Sequence, residues 1–341
     1  MKKLLPLILV FILLFTACSG GNEETTVADI PEETTVQQIV YRNPLNGEKT
    51  DAEYDGRVFA VTINNVAPAI PHRGLNSADL FFEMYINDYC TRGLALFSDI
   101  RKVADVGSMR SNRMNFTDIA QGYNCVLFHT GGSDLVLGDL AASGVDNIQV
   151  DVPIGYRDSE RSAQGYSYEH TLFAKGENLY DAANNRGFSL SSTGKNYGLQ
   201  FSDDVILNGQ IANEIEIVFT LSGVRKTSTM VYDSTADAYS YHQYGKEMTD
   251  SGEKVLFKNV LVILAPTENI QHKKDTYHVA DILGSGDGYF SCGGKITAVK
   301  WSRAGEYEPF TFSFSDGSAV SLEAGSSYIA IAPTGSAVNV K

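Results

Sequence analysis

The hydrophobic pattern of this 341-residue chain changes character near residue 195, and that change constrains the fold more than any other feature. Before it, continuous apolar runs such as Arg57 to Ile63 and Cys125 to His129 alternate with helical spacing over Leu135 to Ala142 and Glu177 to Arg186, the latter closed by Gly187. After it, helical spacing fades. Short alternating runs take over at Glu214 to Leu221, Lys295 to Lys300, Phe310 to Phe314, Ser318 to Leu322 and Tyr328 to Ala332. Ser315-Asp316-Gly317 and Ser285-Gly286-Asp287-Gly288 read as turns between them. This order predicts an α+β protein: an N-terminal mixed α/β domain over 43–195, then a smaller β-rich domain over 196–341.

The N-terminus speaks to location. Lys2 and Lys3 precede an apolar run from Leu4 to Phe15, too short for the ~20 residues that cross a bilayer. The run ends at Leu14-Phe15-Thr16-Ala17-Cys18, small residues ahead of a cysteine, like a bacterial lipobox. Residues 1–17 therefore read as a signal peptide and Cys18 as the lipidated first residue of the mature chain; an ordinary secretory signal with an incidental cysteine is the alternative. Residues 18–42, acidic and with the repeated string Glu-Glu-Thr-Thr-Val at 23–27 and 32–36, read as a disordered tether. The expected location is extracytoplasmic, on the cell membrane of a bacterium, held by the lipid on Cys18.

Lys and Arg number 27 against 41 Asp and Glu, a formal charge of −14. A broad footprint for nucleic acid is missing, although a local basic pocket is compatible with such a chain. Cys90, Cys125 and Cys292 stand in no Cys-x-x-Cys or Cys/His spacing, so no metal site is expected and at most one disulfide can form.

The most informative string is Val106 to Arg113, VGSMRSNR. With Ser108 as cap of the helix that follows, Arg110 and Arg113 lie three apart on one face of its first turns. Cations there oppose the helix dipole and call for an anionic partner. A bound carboxylate or phosphate would meet both arginines; an internal salt bridge to Asp79, Glu83, Asp105 or Asp118 would serve equally, and the spacing leaves both open. His129 ends a strand ahead of Gly131-Gly132, where open sheets present ligand contacts, and its alternative is a structural hydrogen-bonding role. Ser133 is the expected cap of the next helix. Arg92 and Asn65 could add to the site. Ser111, with Glu83 or His129 as general base, would outline a hydrolase, but no Gly-x-Ser-x-Gly elbow occurs. His170 reads as a solvated loop residue. The string at 285–288 lacks both phosphate-loop and calcium-loop spacing, and no cofactor is expected.

Taken in order, several strings resemble the YerB family of bacterial lipoproteins, whose two domains have no known function. They are Asn43-Pro44-Leu45-Asn46-Gly47, Ile63-Asn64-Asn65, Gly74-Leu75 with Ala78-Asp79, Glu83, Thr91-Arg92, Gly107 to Arg113, His129 to Ser133, His170 to Phe173, Lys258-Asn259-Val260 and Gly293 to Trp301. Where the family reads Gly-Pro-Val-Arg-Ser-Ala-Arg, this chain keeps both arginines and the serine. It has Cys90 before Thr91-Arg92, where the family tends to have glycine. The resemblance implies an extracytoplasmic lipoprotein of two domains and implies no reaction.

Three functional readings follow. The first is a membrane-tethered envelope protein that binds an anionic or amide-bearing ligand, such as a cell-wall fragment, through Arg110, Arg113, His129 and the Gly131-Gly132 loop. The second is a hydrolase or transferase acting on wall or glycan material. The third is a protein-interaction scaffold that offers strand edges from its β-rich domain.

Overall fold

Every residue of β1 (Phe59–Asn65) is buried, which explains why this run shows no alternation: the strand is covered on both faces. The computed structural model describes residues 40–87, 90–192 and 194–341; the expected signal peptide, Cys18 and nearly all of the tether lie outside them. The N-terminal half continues with β2 (Leu80–Asn87), β3 (Cys90–Phe97), β4 (Val126–His129) and β5 (Asn147–Gln149). Its helices are α1 (Met114–Gly122), α2 (Asp134–Ser143), α3 (Ser159–Ala163) and α4 (Gly176–Asn185). The other half is strand-rich, with β6 (Glu214–Leu221), β7 (Val224–Asp233), β8 (Ala238–Gln243), β9 (Asn259–Ala265), β10 (Thr267–His272), β11 (Asp275–Ala280), β12 (Gly284–Cys292), β13 (Lys295–Arg303) and β14 (Ser327–Pro333). The architecture is α+β, with the helices in the first part.

The two parts share one sheet. Beyond a short outer strand at Gln210–Ile211, the order runs β13–β12–β9–β14–β2–β3–β1–β4–β5. The halves join where β14 lies parallel to β2, pairing Ser327 with Leu80 through Ile331 with Met84. Residues 40–341 accordingly form one compact unit. Alternate residues of each strand face opposite cores. On one face Phe59, Val61 and Phe81 meet Ile215, Ile217, Phe219 and Tyr241 of a second sheet and Leu179 and Ala183 of α4. On the other, Ala60, Leu80 and Phe82 meet Phe116 and Ile119 of α1, Leu140 of α2, and Trp301 and Phe310.

Several local expectations hold. Ser133 caps α2, accepting from the backbone N–H of Val136 at 3.4 Å, and Gly187 after α4 takes φ of 75°. Others change. The string at 285–288 is no turn but lies inside β12, paired with Asp287 opposite Lys300. A Cβ on Gly286 would stand 2.7 Å from Trp301 Nε1, and one on Gly288 would stand 2.3 Å from the carbonyl of Val262. These glycines serve close packing. Helix α1 starts at Met114 with Arg113 as its cap residue, so Ser108 caps nothing. The edge of β1 that β4 leaves after Phe128 is taken by extended chain: Asn64 N–H donates to the Ser108 carbonyl at 2.9 Å, and Arg110 N–H to that of Thr62 at 3.1 Å. Those bonds hold 108–110 out of the helix.

Candidate functional site

Strands β1 and β4 run in the same direction and β3 runs against them, so the last residues of β1 and β4 and the first of β3 gather at one end of the sheet. Ligand sites of open sheets form at such ends. The extended segment 108–112 lies there, tied to the next loop by Thr130 N–H donating to the Arg110 carbonyl at 3.0 Å and Asn112 N–H to that of Gly131 at 2.8 Å. Gly131 has φ of 96°, which the turn requires and a side chain would resist.

This framework brings Arg92, Arg110 and Arg113 together. Arg92 is only 5% exposed. One of its terminal nitrogens donates to the Ser111 carbonyl at 2.9 Å, while its Nε, buried, has no hydrogen-bond partner among the described residues. Burial pushes its pKa well below the ordinary arginine value, and the like charges of Arg113 and Arg110 push the same way. Arg113 bonds the carbonyl of Asn112 at 2.7 Å, and burial brings its pKa down to about 10, so it remains charged at neutral pH. Among the described residues, Arg110 alone of the three has a carboxylate, Glu169, at 2.7 Å. That pair is partly exposed, and such pairs contribute about 1 kcal/mol at most. Glu169 also approaches His170 Nε2 at 3.5 Å. None of Asp79, Glu83, Asp105 and Asp118 pairs with these arginines.

Other expected site residues lie elsewhere. His129 is 1% exposed. Its Nδ1 accepts from Gly131 N–H at 3.0 Å, and its Nε2 meets Asn147 Oδ1 at 3.3 Å. Asn147 uses its amide N–H on the Val145 carbonyl, which fixes Oδ1 as acceptor and Nε2 as the protonated nitrogen. Burial lowers the ring's pKa. The imidazole is a neutral brace for the Gly131 turn and is closed to an external ligand. His170, expected in solvent, is 4% exposed and bonds Asn64 at 2.9 Å, because its segment packs on the end of β1.

Glu83 and Asn65 belong to a separate centre in the core. Glu83 is fully buried. It accepts from Lys226, Thr91, Asn65 at 3.0 Å, Ser228 at 2.9 Å, Tyr241 at 2.8 Å and Tyr328 at 2.6 Å. Burial works to raise its pKa, but the Lys226 ammonium and the surrounding donors outweigh it and hold the carboxylate charged. The phenols of Tyr241 and Tyr328 are pushed well up, first by burial and then by that charge, and stay protonated. Such a carboxylate is too well satisfied to serve as a base for an external substrate. The sequence reading missed Lys226, Ser228, Tyr241 and Tyr328. One signal was present: Lys226 occupies an inward position of β7, in register with buried Ser228 and Met230. Cys90, Cys125 and Cys292 form no disulfide with one another, and among the described residues no cluster of His, Cys, Asp and Glu could hold a metal ion.

Residues 45–189 match the N-terminal domain, and 217–329 the C-terminal domain, of a family described as proteins of unknown function, DUF3048. The chain belongs to this two-domain family. Over 269 residues it is 26% identical to YerB of Bacillus subtilis (strain 168), a protein whose name marks it as a candidate lipoprotein, with 76% of this chain and 77% of YerB covered. The crystal structure of YerB protein from Bacillus subtilis has the same fold, with a TM-score of 0.76 at 22% identity over 87% of this chain and 99% of that one. No helix among the described residues is long and apolar enough to cross a membrane.

Proposed function

We propose that the chain is an extracytoplasmic lipoprotein, anchored through Cys18, that binds an anionic envelope ligand at Arg92, Arg110 and Arg113. The observation that carries the reading is Arg92: a guanidinium almost wholly removed from water, beside two more arginines and with, among the described residues, no partner for its Nε and one exposed carboxylate near the cluster. Burying a charge without a counter-charge costs several kcal/mol. An oxyanion at this place supplies the missing charge and accepts from the fork of donors. The overall charge of −14 makes the local excess of cations more notable, since it persists within an acidic protein.

Binding is favoured over turnover. Glu83 is sealed in the core and His129 has both ring nitrogens engaged, so neither candidate base reaches the arginines' ligand. The anchor is supported by the lipobox-like Thr16-Ala17-Cys18 and by the name of the Bacillus relative. Two experiments test the reading. Cys18→Ser should move the protein from the membrane to the soluble fraction, and retention on the membrane would remove the anchor. Calorimetric titration of the purified full chain with inorganic phosphate and with acetate should give saturable binding that Arg110→Ala and Arg113→Ala weaken by about tenfold or more each. Unchanged affinity in both variants would sink the anion site.

A further inference from the structure

Arg113 also lines a groove of about 620 Å³ whose opposite wall is the β10–β11 hairpin of the C-terminal half, a volume within the range of small-molecule sites. The hairpin is held against the N-terminal half at both ends. Asn115 of α1 brackets Ala280, donating to its carbonyl at 2.7 Å and accepting from its N–H at 2.8 Å. At the tip, His272 and Lys273 meet Asp134, the first residue of α2.

The wall facing the groove is built of cross-strand polar pairs. Asn269 stands opposite His278 and Gln271 opposite Thr276. His278 Nδ1 meets Asn269 Oδ1 at 2.7 Å, and Gln271 Nε2 donates to Thr276 Oγ1 at 2.6 Å. These bonds orient the two exposed amides and leave Asn269 Nδ2 as a donor and Gln271 Oε1 as an acceptor. A sugar hydroxyl both donates and accepts, so it can answer either. Tyr277 adds an aromatic ring, Lys274 and Asp275 add one charge of each sign, and among the described residues the one aliphatic side chain in the lining is Ile86. Peptide modes that anchor apolar side chains need apolar pockets, which the described lining does not offer, and an acidic peptide is the competing ligand that the test includes. A second depression of about 610 Å³ contains Asp204 and Asp316 and no basic residue, and so disfavours an anion.

From this juxtaposition we infer that the ligand is an anionic glycan: its carboxylate or phosphate sits at Arg113, the member of the arginine cluster that lines the groove, and its hydroxyl-bearing rings lie along Asn269, Gln271 and Tyr277. The inference rests on the anion site proposed above and names its ligand class. Nothing covalent is involved.

The test is calorimetry on the purified full chain with five probes: inorganic phosphate, an uncharged N-acetylglucosamine disaccharide, the same disaccharide bearing one carboxylate, the same bearing one phosphate, and triglutamate. At least one charged disaccharide should bind about tenfold or more tighter than both phosphate and the uncharged disaccharide, and the tighter of the two identifies the anion. The double variant Asn269→Ala/Gln271→Ala, altered only at exposed positions, should bring that disaccharide back to the affinity of phosphate and leave phosphate itself unchanged. Arg113→Ala should weaken every charged probe. Unaltered disaccharide binding in the double variant overturns the proposal, as does triglutamate binding as tightly as the charged disaccharides. If phosphate binds through Arg113 yet no disaccharide exceeds it, the groove assignment is wrong and the anion site stands. If no anion binds, both fall.

Discussion

Arg92 carries a charge that the described residues around it do not neutralise, and the proposed binding role and a structural one predict different outcomes when it is replaced. A structural arginine destabilises the fold when removed. Arg92→Met keeps similar bulk and removes a buried like-charge repulsion, so its thermal midpoint should be no lower than the parent's while the phosphate response disappears; a large drop in midpoint with phosphate binding intact would reverse the assignment. Two other buried groups make stability depend on pH, with opposite signs. Burial raises Asp79 from 3.8 to about 6, so the folded state holds this proton more tightly and stability rises as pH falls from about 6 towards 4. Burial lowers His72 from 6.5 to about 4, so the unfolded chain takes that proton first and stability falls from about pH 6.5 towards 4. Between pH 7 and 5 the Asp79 contribution amounts to about 1 kcal/mol and that of His72 to about 2 kcal/mol. Asp79→Asn should therefore steepen the acid loss by about 1 kcal/mol over that interval in urea unfolding, and an unchanged slope would contradict the raised carboxyl.

At the level of elements, what the sequence made legible was set by local pattern. The buried run of β1, the cap and helix at Ser133, and the glycine stop after α4 all announce themselves within about ten residues. The start of α1 did not, because 108–110 is extended only by virtue of bonds to Thr62 and Asn64, some 45 positions away. The glycines of β12 misled for a related reason: they make room for Trp301 and for the neighbouring strand, and glycine spelled as packing looks like glycine spelled as a turn. Arg92, Arg110 and Arg113 were legible as residues, but their clustering depends on the pairing of β3 with β1. The lysine opposite Glu83 lies 143 positions from it, beyond any spacing rule. The packing account is testable at Gly286. Gly286→Val places methyl groups against Trp301 and should cost about 1–3 kcal/mol, and because Trp301 is the one tryptophan of the chain, its fluorescence reports that position directly. An unperturbed spectrum and melt would show that the strand has room to spare.

For the molecule as a whole, the shared sheet and the Glu83–Lys226 centre bind the two family domains into one folding unit. Glu83 comes from β2 of the first half, while Lys226, Ser228, Tyr241 and Tyr328 come from the second. Lys226→Met leaves a buried carboxylate short of its counter-charge and should lower the unfolding free energy by about 3–5 kcal/mol, read from the urea midpoint. Adding Glu83→Gln removes the orphaned charge, so the double variant should be more stable than Lys226→Met alone. Additive losses would mean that the two side chains do not interact in the folded protein. The arrangement also gives the hairpin of the second half a fixed position against Arg113 of the first, as the proposed ligand site requires.

The most direct measurement is the Arg92 Nε–H signal in a nitrogen-resolved NMR spectrum of the full chain, assigned by its loss in Arg92→Lys and followed as phosphate replaces chloride at constant ionic strength. The anion-site account predicts a saturable shift of this signal, with the same midpoint as calorimetric binding and accompanied by Arg113. An Arg92 Nε–H signal that stays in place while phosphate reaches concentrations that saturate any other site would contradict it.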